Sequence, residues 1–174
     1  MKSLSILIPI YNEEESLQAL FDELKFSFEN NQSIEIIFIN DGSSDMSQKV
    51  IENEIANHST WKLINLYRNY GKSVALQSGI DIASNELIAT LDGDLQDDPK
   101  ELISLVRELN EDDVIVGWKK DRLDPLEKKI ASKIFNFFIK LFSGLKIKDS
   151  NSGIKVLKKE VAKSLNLYGG RHRY

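Results

Sequence analysis

Asp92 and Asp94 stand one glycine apart and are followed by Gln96, Asp97 and Asp98. Carboxylates crowded this closely repel one another unless a cation or a hydrogen-bond donor neutralises them. Oxygen ligands of this kind suit a hard divalent cation shared with a phosphate. The competing reading is a solvated acidic turn. The apolar run 87–91 before this stretch reads as a short buried strand, and Asp98-Pro99 after it as the cap and first turn of a helix. The acidic stretch therefore falls at the C-terminal end of a strand, where open α/β sheets place their ligands.

Two further polar clusters sit in equivalent places. Leu4–Ile10 reads as a buried parallel strand and ends on Tyr11-Asn12-Glu13. Pro9 removes a ladder donor there, which suits a strand leaving its sheet. Residues 34–39 form a second strand that runs into the turn cluster 40–45, with Asp41-Gly42-Ser43 at its centre. In a parallel sheet these ends and the acidic stretch converge on one edge. Acid and amide side chains there can hold a base and a ribose, and an Asp-x-Asp pair can hold a metal on a diphosphate. Arg68 and Lys72, after a third strand at 61–66, add positive charge.

The helices that position these ends follow from spacing. Asn12 and Glu15 resemble a capping box, with Leu17, Leu20, Phe21, Leu24 and Phe28 as the apolar face of the helix that follows. A helix is expected over 71–83 with Val74, Ala75, Ser78 and Ile82 on one side, and another over 99–109, before a fifth strand at 114–117. Strands alternating with helices of this length predict an α/β fold with a mainly parallel sheet flanked by helices, in one domain.

The chain has 174 residues, 41% of them hydrophobic, enough for one domain with a full core. Cysteine is absent, which excludes disulfides, thiolate metal sites and a cysteine nucleophile. The N-terminus is a strand rather than a signal peptide, and no run of 18 apolar residues exists. The net charge of −4 hides a split: residues 1–118 carry 8 Lys+Arg against 22 Asp+Glu, and residues 119–174 carry 15 against 5. A basic C-terminal third points to an anionic partner, with nucleic acid, anionic lipid and a phosphorylated substrate all open, or to a solvated basic face. Within it, residues 125–142 combine four phenylalanines and four lysines with other apolar residues. They read as an interfacial amphipathic helix or as a core helix with exposed lysines. A turn at 149–153 and a short strand at 154–157 follow. The last residues, Gly169-Gly170-Arg171-His172-Arg173-Tyr174, offer no structural ending and read as a truncation.

Several known motifs fail. Gly71-Lys72-Ser73 lacks the earlier glycine of a phosphate-binding P-loop, since position 66 is leucine. The acidic stretch lacks the glycine and glutamate of a calcium-binding EF-hand loop, having Asp97 and Ile103 there. No G-x-G-x-x-G is present. His58 reads as a surface residue in a polar loop, and His172 as a functional base or a tail residue.

Taken in order, the motifs resemble the family 2 glycosyltransferases of GT-A fold, in the branch of dolichyl-phosphate mannose synthases and bacterial polyprenyl-phosphate sugar transferases. They are Ile8-Pro9-Ile10-Tyr11-Asn12-Glu13, Asn40-Asp41-Gly42-Ser43-Ser44-Asp45, Arg68-Asn69-Tyr70-Gly71-Lys72 and Leu91-Asp92-Gly93-Asp94-Leu95-Gln96-Asp97-Asp98-Pro99. Later come Gly117-Trp118-Lys119-Lys120-Asp121-Arg122, Ser132-Lys133-Ile134-Phe135-Asn136, Asp149 with Ser152-Gly153, and Leu167-Tyr168-Gly169 with His172-Arg173-Tyr174.

The resemblance implies one GT-A catalytic domain over 1–174. Residues 1–118 would bind a UDP- or GDP-sugar, and the basic part 119–174 would face the acceptor and the membrane. Pro9, Tyr11, Glu13, Ile39 and Asp41 would line the nucleoside pocket. Asp92, Gly93 and Asp94 form the D-x-D element, and Asp92, Asp94 and Gln96 would hold Mg²⁺ or Mn²⁺ against the donor diphosphate. Lys119 and Arg122 would meet a donor or acceptor phosphate. The family commonly has arginine at 119, which alone of the two can bind phosphate through a bidentate fork. It often has aspartate where this chain has Asn40. Asp149 would orient the acceptor or act as base, with Asp94 as its catalytic partner on the donor side. The implied reaction is inverting, metal-dependent sugar transfer to polyprenyl phosphate. The implied setting is the inner face of the cell membrane, in peripheral contact with anionic lipid. No nucleic-acid partner is implied, a homo-oligomer is left open, and the longer protein would carry C-terminal transmembrane helices. Alternatives are a family 2 transferase with a soluble or polysaccharide acceptor, and a non-catalytic nucleotide-binding module.

Overall fold

The computed structural model describes residues 2–28, 31–109, 113–117 and 154–169. The stretch 125–142, Lys119, Arg122, Asp149 and His172 lie outside the described residues.

Six described strands form one sheet in the order β3-β2-β1-β4-β6-β5. In chain order they are β1 (Leu4–Ile10), β2 (Ile34–Asn40), β3 (Trp61–Asn65), β4 (Leu87–Thr90), β5 (Val114–Val116) and β6 (Lys155–Lys158). The helices are α1 (Leu17–Phe28), α2 (Ser47–Ile55), α3 (Lys72–Ile82), α4 (Pro99–Glu108) and the short α5 (Lys159–Ser164). β1 pairs in parallel with β2 and β4, and β2 with β3. β6 runs antiparallel between β4 and β5. The sheet is thus mainly parallel, as expected, with one reversed strand that spacing alone did not mark.

The uninterrupted apolar runs of β1 and β2 are explained by burial on both faces. Alternate residues serve two cores. Leu4, Ile6, Ile8 and Ile10 of β1 join Ile34, Ile36 and Phe38 of β2 beneath α1 and α4. Leu7, Ile37 and Ile39 face Ala75, Leu76 and Ile80 of α3. Phe38 packs edge-on against Phe21 at 5.6 Å and tilted against Trp61 at 5.5 Å. Such aromatic pairs add to the area they bury.

Two local expectations are corrected. Asn12 does not cap α1. It holds a left-handed backbone, φ 56°, and its side-chain oxygen accepts from the N–H of Ser44 at 2.8 Å. The helix starts only at Leu17, after a turn closed by the Glu13 carbonyl. On α3 the buried face is Ser73, Ala75, Leu76, Gly79 and Ile80, and Ile82 is exposed. The helix packs on the sheet through a stripe one residue round from the one expected. Gly79 lets it sit close, since a β-carbon there would lie 3.0 Å from Leu7 and 3.1 Å from Ile39. His58 lies in the loop between α2 and β3, as expected, and is half-buried. Its ring stacks on Trp61 at 4.1 Å and meets Glu54 at 3.3 Å.

The expected cap of α4 is present: Asp98 accepts from the N–H of Lys100 at 2.9 Å and Pro99 opens the helix. Among the described residues, no helix is long and apolar enough to cross a membrane.

Candidate active site

The strand order reverses between β1 and β4. From β1 the chain builds β2 and β3 to one side, then crosses to place β4 on the other. Open α/β sheets leave a crevice at such a switch point, outside the carboxyl ends of the strands. Here β1 and β4 separate after the Leu7–Thr90 pair, so the ring nitrogen of Pro9 lies past the last rung to β4. The gap becomes a cavity of about 290 Å³.

Pro9, Ile10, Tyr11 and Glu13 form its wall from the end of β1, and Asp41 contributes from the end of β2. Asn69, Gly71 and Lys72 come from the approach to α3, and Asp92, Gly93 and Asp94 from the end of β4. Three strand ends therefore meet at one pocket. Of the donor-binding residues named from the sequence, the structure gathers Pro9, Tyr11, Glu13, Asp41, Asp92, Gly93 and Asp94. It does not gather two others. Ile39 is fully buried among Leu7, Ile37 and the α3 side chains, away from the pocket wall. Gln96 lines a neighbouring cleft with Phe26, Asp97 and Lys100.

Several wall residues are held by bonds that the sequence pattern did not show. Asp41 is buried, and its two oxygens accept from the backbone N–H groups of Tyr70 at 2.8 Å and Gly71 at 2.9 Å. Asn40 accepts from the Ser43 N–H at 3.0 Å and donates to Asn65 at 3.0 Å. An aspartate could not make that donation, so the departure from the usual acidic pair has a local use here. The 11–15 and 43–47 segments are stitched together. Asn12 N–H donates to Ser43 Oγ at 3.0 Å, Glu13 N–H to Ser47 Oγ at 3.0 Å, and Met46 N–H to Glu14 Oε2 at 2.7 Å.

Two glycines are required by close approach. Gly42 has φ 70°, and a β-carbon there would lie 2.3 Å from the backbone carbon of Arg68. Gly93 brings the β4 exit against β1: a β-carbon would lie 2.6 Å from Ile10 Cδ1. The middle residue of the Asp-x-Asp element thus sets how closely the β4 exit, with its two carboxylates, approaches the β1 wall of the pocket.

Those carboxylates have different surroundings. Asp92 is half-buried and ion-paired through Oδ1 with Lys72 Nζ. Asp94 is exposed and accepts the N–H of Gln96 through Oδ1 at 3.1 Å, across a turn in which Leu95 has φ 61°. Among the described residues, no three His, Cys, Asp or Glu side chains form an enclosing metal cage. A Mg²⁺-like cation is ordinarily held by one or two carboxylates together with substrate phosphates, and an open carboxylate at a pocket mouth fits that pattern.

The roles of Asn69, Gly71 and Lys72 were only partly legible. The motif containing them stood out, and Lys72 was read as local positive charge. That Asn69 and Gly71 form wall was not visible, because their placement depends on the buried Asp41 clamp.

A family model described as Glycosyl transferase family 2 matches residues 5–165. The chain is 36% identical over 176 residues to dodecaprenyl-phosphate galacturonate synthase of Rhizobium johnstonii, covering 98% of this chain and 52% of the relative. It is 35% identical over 170 residues to undecaprenyl-phosphate 4-deoxy-4-formamido-L-arabinose transferase of Yersinia pestis, covering 95% and 51%. The chain spans about half the length of these curated relatives. Among solved structures, mannosyltransferase PcManGT from Pyrobaculum calidifontis in complex with GDP-Man and Mn²⁺ matches with TM-score 0.71 at 13% identity, over 97% of this chain and 48% of that one. Glucosyl-3-phosphoglycerate synthase from Mycobacterium tuberculosis, in complex with Mn²⁺, UDP and phosphoglyceric acid, matches with TM-score 0.73 at 16% identity, over 94% and 58%. At those identities the likeness is one of fold.

Proposed function

The chain belongs to glycosyl transferase family 2 and has the GT-A fold, and we propose that it transfers a sugar from a UDP- or GDP-sugar to polyprenyl phosphate with inversion at the anomeric carbon. The observation that carries this reading is the convergence of Asp92 and Asp94 with Pro9, Tyr11, Glu13 and Asp41 on one pocket at the switch point. Relatives named for dodecaprenyl and undecaprenyl phosphate support the choice of acceptor.

The chemistry follows from what the residues can do. The β1 and β2 ends hold the nucleoside, with the half-exposed ring of Tyr11 as an apolar surface beside the acid of Glu13. The β4 end then receives the diphosphate. Asp94 is the residue that would hold Mg²⁺ or Mn²⁺ there, which when bound neutralises the leaving group as a Lewis acid. A phosphate oxygen of the acceptor attacks the anomeric carbon from the face opposite the diphosphate. The new carbon–oxygen bond forms as the old one breaks, and the nucleoside diphosphate leaves with the bonding pair. A lipid phosphate is already anionic near neutral pH and needs little help from a base. Asp149 is proposed to orient it, and Lys119 and Arg122 to bind phosphate. The basic part 119–174 and the lysine-bearing stretch 125–142 suit an anionic surface, which supports a reaction at the inner face of the membrane.

The test is a transfer assay on the protein with UDP- and GDP-sugars, Mn²⁺, and undecaprenyl phosphate in anionic liposomes. Formation of a lipid-linked sugar supports the reading. Transfer only to soluble or polysaccharide acceptors would reassign the acceptor. Nucleotide binding with no turnover on any acceptor would leave a binding module.

A further inference from the structure

We propose that Lys72 is a donor-binding residue that holds the diphosphate of the nucleotide sugar, and that Asp92 is the positioning residue that aims it. The proposal rests on the nucleotide-sugar reading above and gives the pocket its own cation.

The argument starts from charge. The described pocket wall carries four carboxylates, on Glu13, Asp41, Asp92 and Asp94, against one cation, Lys72. A nucleoside diphosphate brings further negative charge into that wall and is repelled unless cations meet it. Asp41 is answered by two backbone N–H groups, so it makes no demand on a cation. Asp92 and Asp94 then divide. Asp94 is open to solvent and free to face a divalent ion, whereas Asp92 is committed to the Lys72 ammonium.

That commitment is directional. Lys72 sits in the first turn of α3, and its side chain and that of Asp92 are 34% and 30% exposed. Lys72 is thus largely covered and lies on the pocket wall. An ammonium has three donors, and pairing with Asp92 uses one. The other two are available to phosphate oxygens. A free lysine would lose side-chain entropy on meeting a ligand, and the contact with Asp92 orders it beforehand. The same helix end is held by Asp41 through Gly71, the residue immediately before Lys72. Thus Asp41 fixes the backbone and Asp92 fixes the head. The competing account is that Lys72 only neutralises Asp92.

The test compares UDP and GDP with uridine and guanosine, titrated into the full chain with Mn²⁺ present, by calorimetry or NMR. Lys72→Met should weaken the bound diphosphate by about tenfold or more while changing the nucleoside by less than about twofold. Lys72→Arg should retain most of the affinity. Asp92→Asn should reproduce the diphosphate-selective loss, and the double variant should be no worse than Lys72→Met alone, because Asp92 acts through the lysine. Lys72→Gln serves if the methionine variant fails to fold, judged by thermal unfolding without ligand. Equal losses for nucleoside and diphosphate, or wild-type diphosphate affinity in Lys72→Met, would overturn the assignment. So would loss of Mn²⁺ binding in Asp92→Asn but not in Lys72→Met, which would make Asp92 a metal ligand. Failure of the unmodified protein to bind any nucleoside diphosphate would instead remove the nucleotide-sugar reading, and this inference with it.

Discussion

The buried carboxylate of Asp41 grips the backbone N–H of Gly71 at 2.9 Å, together with that of the adjacent Tyr70, and so ties the end of β2 to the start of α3. This bond pair makes the pocket wall continuous from the ends of β1 and β2 to Lys72. Asp41→Asn keeps the shape but leaves one N–H facing an amide donor. The expected result is a loss of roughly 1–3 kcal/mol in stability, the usual penalty for an unsatisfied buried polar group. Urea unfolding measures it. A change within about 0.5 kcal/mol, as for an ordinary surface substitution, would show that the clamp contributes little.

Asp94 offers a cleaner separation of fold from chemistry. It is exposed, and its described bond is to the Gln96 N–H, which an asparagine carbonyl can also accept. Asp94→Asn should therefore leave the unfolding midpoint near wild type. The Mn²⁺-dependent part of nucleoside diphosphate binding should fall by about tenfold or more. Titrations with Mn²⁺ and with chelator give the difference directly. Unchanged metal-dependent binding would move the ion to another ligand.

At the opposite edge of the sheet, Glu35 gives a pH signature. Burial pushes its carboxyl up, but the Lys62 ammonium, Ser5 and the N–H and hydroxyl of Ser84 outweigh burial and bring it from 4.5 down to about 2. A lowered folded value means that the stabilisation is complete above the unfolded value and is lost as pH falls. The window therefore runs from about 4.5 down to about 2. Glu35→Gln should be less stable than wild type at pH 7, by on the order of 3 kcal/mol. The gap should narrow steadily below pH 4.5. Denaturation curves at pH 7, 4.5 and 3 test this, and a gap independent of pH would assign the effect to packing instead.

What could be read from the sequence was what local chemistry determines. The runs of β1 and β2 are apolar on both faces, so their burial and the parallel sheet followed. Asp98-Pro99 is a cap by residue type alone. The convergence of Tyr11, Asp41 and Asp92 followed from strand ends and one topological rule. Other features depend on partners far along the chain. Asn12 looks like a cap until Ser44 competes for its side chain. Ile82 fits a helical stripe, yet the small residues Ala75 and Gly79 decide which face of α3 can approach the sheet. The pairing of Lys72 with Asp92 joins residues twenty positions apart. The antiparallel insertion of β6 joins Lys158 to Leu87, a contact with no local signal.

Ile39 gives the sharpest contrast between two roles. Family motifs placed it beside the nucleoside, whereas the structure buries it completely among Leu7, Ala75, Leu76 and Ile80. Tyr11 is 47% exposed and forms pocket wall. Ile39→Ala removes three buried carbons from a packed core and should lower stability by roughly 2–5 kcal/mol. Affinity of the folded protein for nucleoside diphosphate should stay within about twofold. Tyr11→Ala should do the reverse, because a half-exposed ring contributes little to the core but supplies a large contact surface to a bound base. Paired measurements of the unfolding midpoint and nucleotide affinity on the two variants decide the matter. A selective affinity loss in Ile39→Ala, with stability preserved, would return Ile39 to the nucleoside site.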